Sequence, residues 1–219
     1  MHIGLRVAVL GLAVSLLSPA PAWAHAGVVR VTPTPGSQLT QPPSAITVTF
    51  TEPISVESAA VLDARGTTIA TEWSVTGRTM TITPSASAPR GPLAVEWTVT
   101  SDDGHRVSGT VGYQVGAPVG PTVRQRLITS PRIPMTLSRS SAGPMVLAID
   151  RAVASGSVSW QHPDLDGPII WPLTGGSRAG RAQGVLPLPG PWQMTATLNG
   201  RDSAFIMVQA SVNVLPPGA

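Results

Sequence analysis

The 219-residue chain is 42% hydrophobic, 11% charged and 4% aromatic, with 22 Gly and 23 Pro. So apolar and weakly charged a composition excludes a disordered tail, and this much Gly and Pro excludes a helical bundle, which leaves a β-rich chain of short strands and frequent turns. All 14 basic residues are Arg, set singly for a net charge of +3 without the clustering a nucleic-acid binder needs, and the lack of Cys excludes disulfides, thiolate metal sites and thiol catalysis.

Residues 1–24 read as a secretory signal peptide. Arg6 supplies the positive start, Val7 to Leu17 the apolar run, and Ser18 to Ala24 a small-x-small cleavage region. The run is too short to span a bilayer. Cleavage after Ala24 makes His25 the first residue of the exported protein. A second A-x-A site, Ala24-His25-Ala26, offers a cut after Ala26 that discards it. No later stretch reaches 18 apolar residues, so the exported chain is expected not to span a membrane and to be periplasmic or extracellular.

From residue 25 to about 116 the period-2 signal of strands is clear. Ile46, Val48 and Phe50 alternate with threonines, Leu93 to Val99 alternates with Ala94, Glu96 and Thr98, and Val107 to Val115 puts Val111 and Tyr113 on one face. Further strands are expected at 58–63, 67–75 and 78–83, the last two joined by a turn at Gly77. The threonine faces suit half-exposed strands. This many short strands predicts an antiparallel two-sheet sandwich with Greek-key crossings, its core aromatics being Phe50, Trp73, Trp97 and Tyr113.

The loop Ser101-Asp102-Asp103-Gly104-His105 separates the last two of these strands. Gly104 permits a tight reversal, which lets Asp103 and His105 converge. A terminal His25 offers its α-amine and imidazole from one residue. With His105 and Asp103 that makes three nitrogens and one oxygen, a tetragonal set suited to one Cu(II) ion.

The segments His25-Ala26-Gly27, Thr32-Pro33-Thr34-Pro35-Gly36 and Phe50-Thr51-Glu52-Pro53, with Ser101-Asp102-Asp103-Gly104-His105-Arg106-Val107-Ser108-Gly109, resemble the motifs of CopC-type copper-resistance proteins over residues 25–115. The resemblance implies an Ig-like β-sandwich that binds Cu(II) outside the cytoplasm through His25, Asp103 and His105, beside a membrane copper-transport partner. Asp102 falls on the motif's variable position and is not counted as a ligand. The Met-rich Cu(I) segment of some relatives has no counterpart here, since Met80 is the single Met of this half and is expected in the core.

Residues 117–134, with four prolines, read as an extended linker. Residues 135–219 read as a second small β-sandwich of unknown role. Its strands are expected around Met145 to Ile149, Val158 to Trp160 and Ile169 to Trp171, with a loop at 174–184. A hairpin is expected from Trp192 to Leu198 and from Ser203 to Val208, around Asn199-Gly200. Met135, Met145, Met194 and Met207 are expected in the core. His162, Asp164 and Asp166 lack the spacing of a calcium loop and read as a turn.

The expected function is that of an exported carrier or buffer of Cu(II) in copper homeostasis and resistance, not an enzyme. Two alternatives remain: a histidine-brace copper monooxygenase, which an Asp beside the second His and scarce aromatics disfavour, and an adhesion or scaffold sandwich binding no metal.

Overall fold

A computed structural model of the chain describes residues 27–85, 88–117, 123–139, 144–200 and 204–215. The expected signal peptide and His25 lie outside these. Every regular element described is a strand. No helix among the described residues is long and apolar enough to cross a membrane.

The first half holds β1 (Val28–Thr32), β2 (Gln38–Leu39), β3 (Ile46–Phe50), β4 (Ile54–Leu62), β5 (Thr68–Ile69), β6 (Thr71–Thr76), β7 (Thr79–Pro84), β8 (Gly91–Ser101) and β9 (Arg106–Val115). One sheet runs β1-β3-β7-β6; the facing one runs β9-β8-β4-β5, with β2 added in parallel to β9. The apolar row of each strand points between them. Ile46, Val48 and Phe50 of β3 and Met80 and Ile82 of β7 meet Val95, Trp97 and Val99 of β8 and Val111 and Tyr113 of β9. The Tyr113 hydroxyl donates to the Pro33 carbonyl at 2.8 Å, tying the Thr-Pro segment to this core.

Trp73 departs from expectation: it is 46% exposed. It lies on the inward row of β6, opposite Ile82, but β6 is the edge of its sheet and the facing layer leaves the indole uncovered.

The second half holds β10 (Val123–Leu127), β11 (Met135–Arg139), β12 (Met145–Ile149), β13 (Val153–Gln161), β14 (Ile169–Gly176), β15 (Gly180–Gly184), β16 (Gly190–Asn199) and β17 (Phe205–Val214). They pair in the order β10-β11-β12-β15-β14-β13-β16-β17. The ends of that order meet where Ser130 and Gln209 exchange two backbone hydrogen bonds of 2.9 Å. The enclosed core includes Trp160, Trp171 and Trp192, with Met135, Met145 and Met194.

Three sequence expectations change here. The segment 117–134 is not only a linker, because β10 lies in it and pairs with β11 along five residues. The expected loop at 174–184 contains β15, whose buried row is made of small residues, Gly180, Ala182 and Gly184, that leave little hydrophobic signal. Met207 is 50% exposed, since Val208, Ala210 and Val212 occupy the inward row of β17.

The halves share a sheet and a face. β14 meets β9 in parallel at Ile169 and Thr110. The Thr110 hydroxyl donates to the Gly167 carbonyl at 2.8 Å. The threonine face expected to be half exposed is therefore covered, with Thr98 and Thr110 buried. Leu62 and Ala94 of the first half join the core of the second.

Candidate metal centre

β8 and β9 pair along their full length down to Thr100 and Arg106, so the four residues between Ser101 and Arg106 must reverse the chain. Gly104 does this at φ +84, a conformation that costs other residues about 1–2 kcal/mol. Its N–H donates to the Ser101 carbonyl at 2.8 Å, and the Ser101 N–H to the His105 carbonyl at 3.0 Å.

This turn brings together two of the expected ligands. His105 Nδ1 lies 2.9 Å from Asp103 Oδ2. Asp103 Oδ1 accepts a short hydrogen bond from the Ser101 hydroxyl and another, at 3.2 Å, from the His105 N–H. The Ser101 hydroxyl, then the His105 backbone and ring, hold the Asp103 carboxyl down at a pKa of about 2. Asp103 is thus a fixed anion throughout the ordinary pH range. A neutral His105 that donates from Nδ1 carries its lone pair on Nε2, the nitrogen suited to a metal. Asp102 is exposed beside them.

The chain entrance lies at the same end of the sandwich. Gly27 donates to Thr51 Oγ1 at 3.0 Å, and the Thr51 N–H returns a bond to the Gly27 carbonyl at 2.9 Å. Three residues further on, Ile54 pairs with Ser101. The segment 51–53 therefore joins the chain entrance to the Asp103–His105 turn. Glu52 sits in that segment with Oε1 buried and without a hydrogen-bond partner among the described residues. A buried carboxylate oxygen without a partner calls for a cation or a donor. Its sequence signal is the motif Phe50-Thr51-Glu52-Pro53, in which nothing but burial distinguishes Glu52 from a solvated turn residue.

Among the described residues, no three His, Asp or Glu side chains already converge as a metal cage. His25 falls outside those residues. In the other loop with His and Asp, both ring nitrogens of His162 are engaged by backbone groups. His162 is buried, with Nδ1 accepting from the Asp164 N–H at 3.2 Å and Nε2 facing the Pro189 carbonyl at 3.1 Å.

The model of the CopC domain matches residues 28–116. The chain is 31% identical over 117 residues to Protein YobA of Escherichia coli K12, an alignment covering 51% of this chain and 94% of YobA. It is 27% identical over 124 residues to Copper transport protein CutJ of Bacillus subtilis, covering 54% of this chain but only 23% of CutJ. Two solved structures are also similar. CopC from Methylosinus trichosporium OB3b is 21% identical, covering 42% of this chain and 93% of that one, with a TM-score of 0.39. PcoC, a copper resistance protein from Escherichia coli, is 20% identical, covering 41% and 98%, with a TM-score of 0.36. With the domain match on 28–116 and an alignment spanning nearly all of YobA, this chain belongs to the CopC family.

Proposed function

We propose that the chain, exported and trimmed to begin at His25, carries or buffers one Cu(II) ion outside the cytoplasm. The donors are the His25 α-amine and imidazole, the His105 imidazole and an Asp103 oxygen. Glu52 adds a second carboxyl group at this end of the first half. The observation that carries the reading is the pinning of Gly27 to Thr51, beside the segment that leads to Ser101. Two residues of chain reach at most about 7 Å, so a chain beginning at His25 starts within that distance of Gly27.

Four strong donors fill the tetragonal positions of Cu(II) and leave none for oxygen or a polysaccharide, which favours a carrier over a monooxygenase. The likeness to Copper transport protein CutJ supports a role in copper transport, in which a membrane copper-transport partner would be source or acceptor of the ion. Copper titration of the chain beginning at His25, followed by electron paramagnetic resonance, tests the proposal. One tightly bound cupric ion with nitrogen hyperfine structure is expected, with tight binding lost in His105→Ala. A stoichiometry near zero, or an unchanged spectrum in that variant, contradicts it.

A further inference from the structure

The second half carries a cationic face that the copper reading does not use. Arg124 and Arg126 lie two residues apart on the outward row of β10, about 7 Å from each other. Their partners across the sheet are Ser138 and Thr136, hydroxyls and not acids. Arg139 completes the lining of an open cleft over β10, β11 and β12, in which Asp150 is the one carboxylate. A second open cleft continues from it, sharing Arg126 and Pro134 and adding Arg132 and Ile128. None of these four arginines forms an ion pair among the described residues. Grouped like charges with a single carboxylate among them are unfavourable within the protein itself and suit an external anion.

The same surface displays apolar side chains. Ile128 is 92% exposed, the highest value for a large hydrophobic residue among those described. It stands on a braced turn: the Thr129 hydroxyl donates to the Ile133 carbonyl at 2.9 Å and accepts from the Ile133 N–H at 2.8 Å. Ser130 in that turn is bridged to Gln209, and on the outward row of β17 Gln209 is followed back by exposed Met207 and Phe205.

We propose that this face docks on an anionic phospholipid surface, with the arginines at the phosphates and Ile128 entering the headgroup boundary. A small oxyanion would use the arginines but gains nothing from a protruding isoleucine. A lipid surface uses both. The inference stands on the second half alone and does not depend on the copper site.

The test is co-sedimentation of the chain beginning at His25 with vesicles of phosphatidylglycerol in phosphatidylcholine, against phosphatidylcholine alone. Binding is expected only on the anionic vesicles, weakening as salt rises. Arg124→Ala and Arg126→Ala should each lower partitioning about fivefold. Ile128→Asp should remove the binding that survives raised salt, while Arg78→Ala, on the first half, leaves partitioning unchanged. All four side chains are exposed, and unchanged circular dichroism verifies the fold of each variant. Equal binding to both vesicle types, or an equal loss in Arg78→Ala, overturns the proposal. So does arginine-dependent binding of pyrophosphate without vesicle binding, which would mark a small-anion site, and so does Ile128→Asp partitioning like the parent chain.

Discussion

The Ser101 hydroxyl sits against Asp103 Oδ1, and its hydrogen bond is the main cause of the depressed Asp103 pKa. Ser101 is nearly buried and therefore acts on the site through Asp103. Ser101→Ala should weaken copper binding about tenfold or more, as losses of partners behind metal ligands do. The fold, read by circular dichroism, should not change. Copper affinity equal to that of the parent chain would show that the carboxylate needs no such support. Gly104 acts differently, through its backbone. Gly104→Ala faces open space, so its expected cost of about 1 kcal/mol arises from φ +84 alone. Its melting temperature should fall modestly and its copper affinity should fall with the displaced His105. At this scale the Asp103–His105 contact was legible in the sequence, because a Gly between two polar residues in a hairpin tip allows few other arrangements. Glu52 was not, because a carboxylate after a strand looks like any solvated turn residue until its burial is known.

Among the elements, β3, β8 and β9 were legible because a strict alternation of apolar and Thr residues has one reading. β15 was not, because Gly180, Ala182 and Gly184 pack by being small. The outward row of β8 shows what the second half adds. Glu96 on this row accepts the Asp166 N–H at 3.3 Å. Burial is the main cause that raises its pKa, and the Asp166 charge pushes the same way against that hydrogen bond. A carboxyl with a raised folded pKa favours the fold while protonated and loses that advantage as pH rises through the raised value. Glu96→Gln removes the ionisation while keeping an acceptor for Asp166. The variant should therefore melt above the parent chain at neutral pH, with the gap closing as pH falls through the raised value toward the ordinary Glu range. Thermal melts between pH 4 and 8 check this, and a constant gap would contradict it.

The whole molecule differs most from its sequence reading in how the halves meet. A proline-rich stretch suggested a spacer, yet β10 sits within it and the second half covers the outer face of β8 and β9. Period-2 patterns report one apolar row per strand and are silent on polar rows buried by a partner, so Thr98 and Thr110 gave no warning. Gly112 marks the closeness of that contact. A Cβ there would stand 2.6 Å from the Val185 carbonyl oxygen, across the seam. Gly112→Ala should cost about 1–3 kcal/mol through this overlap. Amide exchange should rise at Thr98 and Thr110, while an unchanged melt would mean that the seam yields freely. The proposed copper site, at the end of the first half that holds Asp103 and His105, requires a chain that begins at His25. Cupric titration, followed by electron paramagnetic resonance, of three chains beginning at Ala24, His25 and Gly27 tests it most directly. Tight tetragonal binding with nitrogen hyperfine structure in the His25 chain, lost in the other two, is the predicted result. Equal binding by all three chains would contradict it.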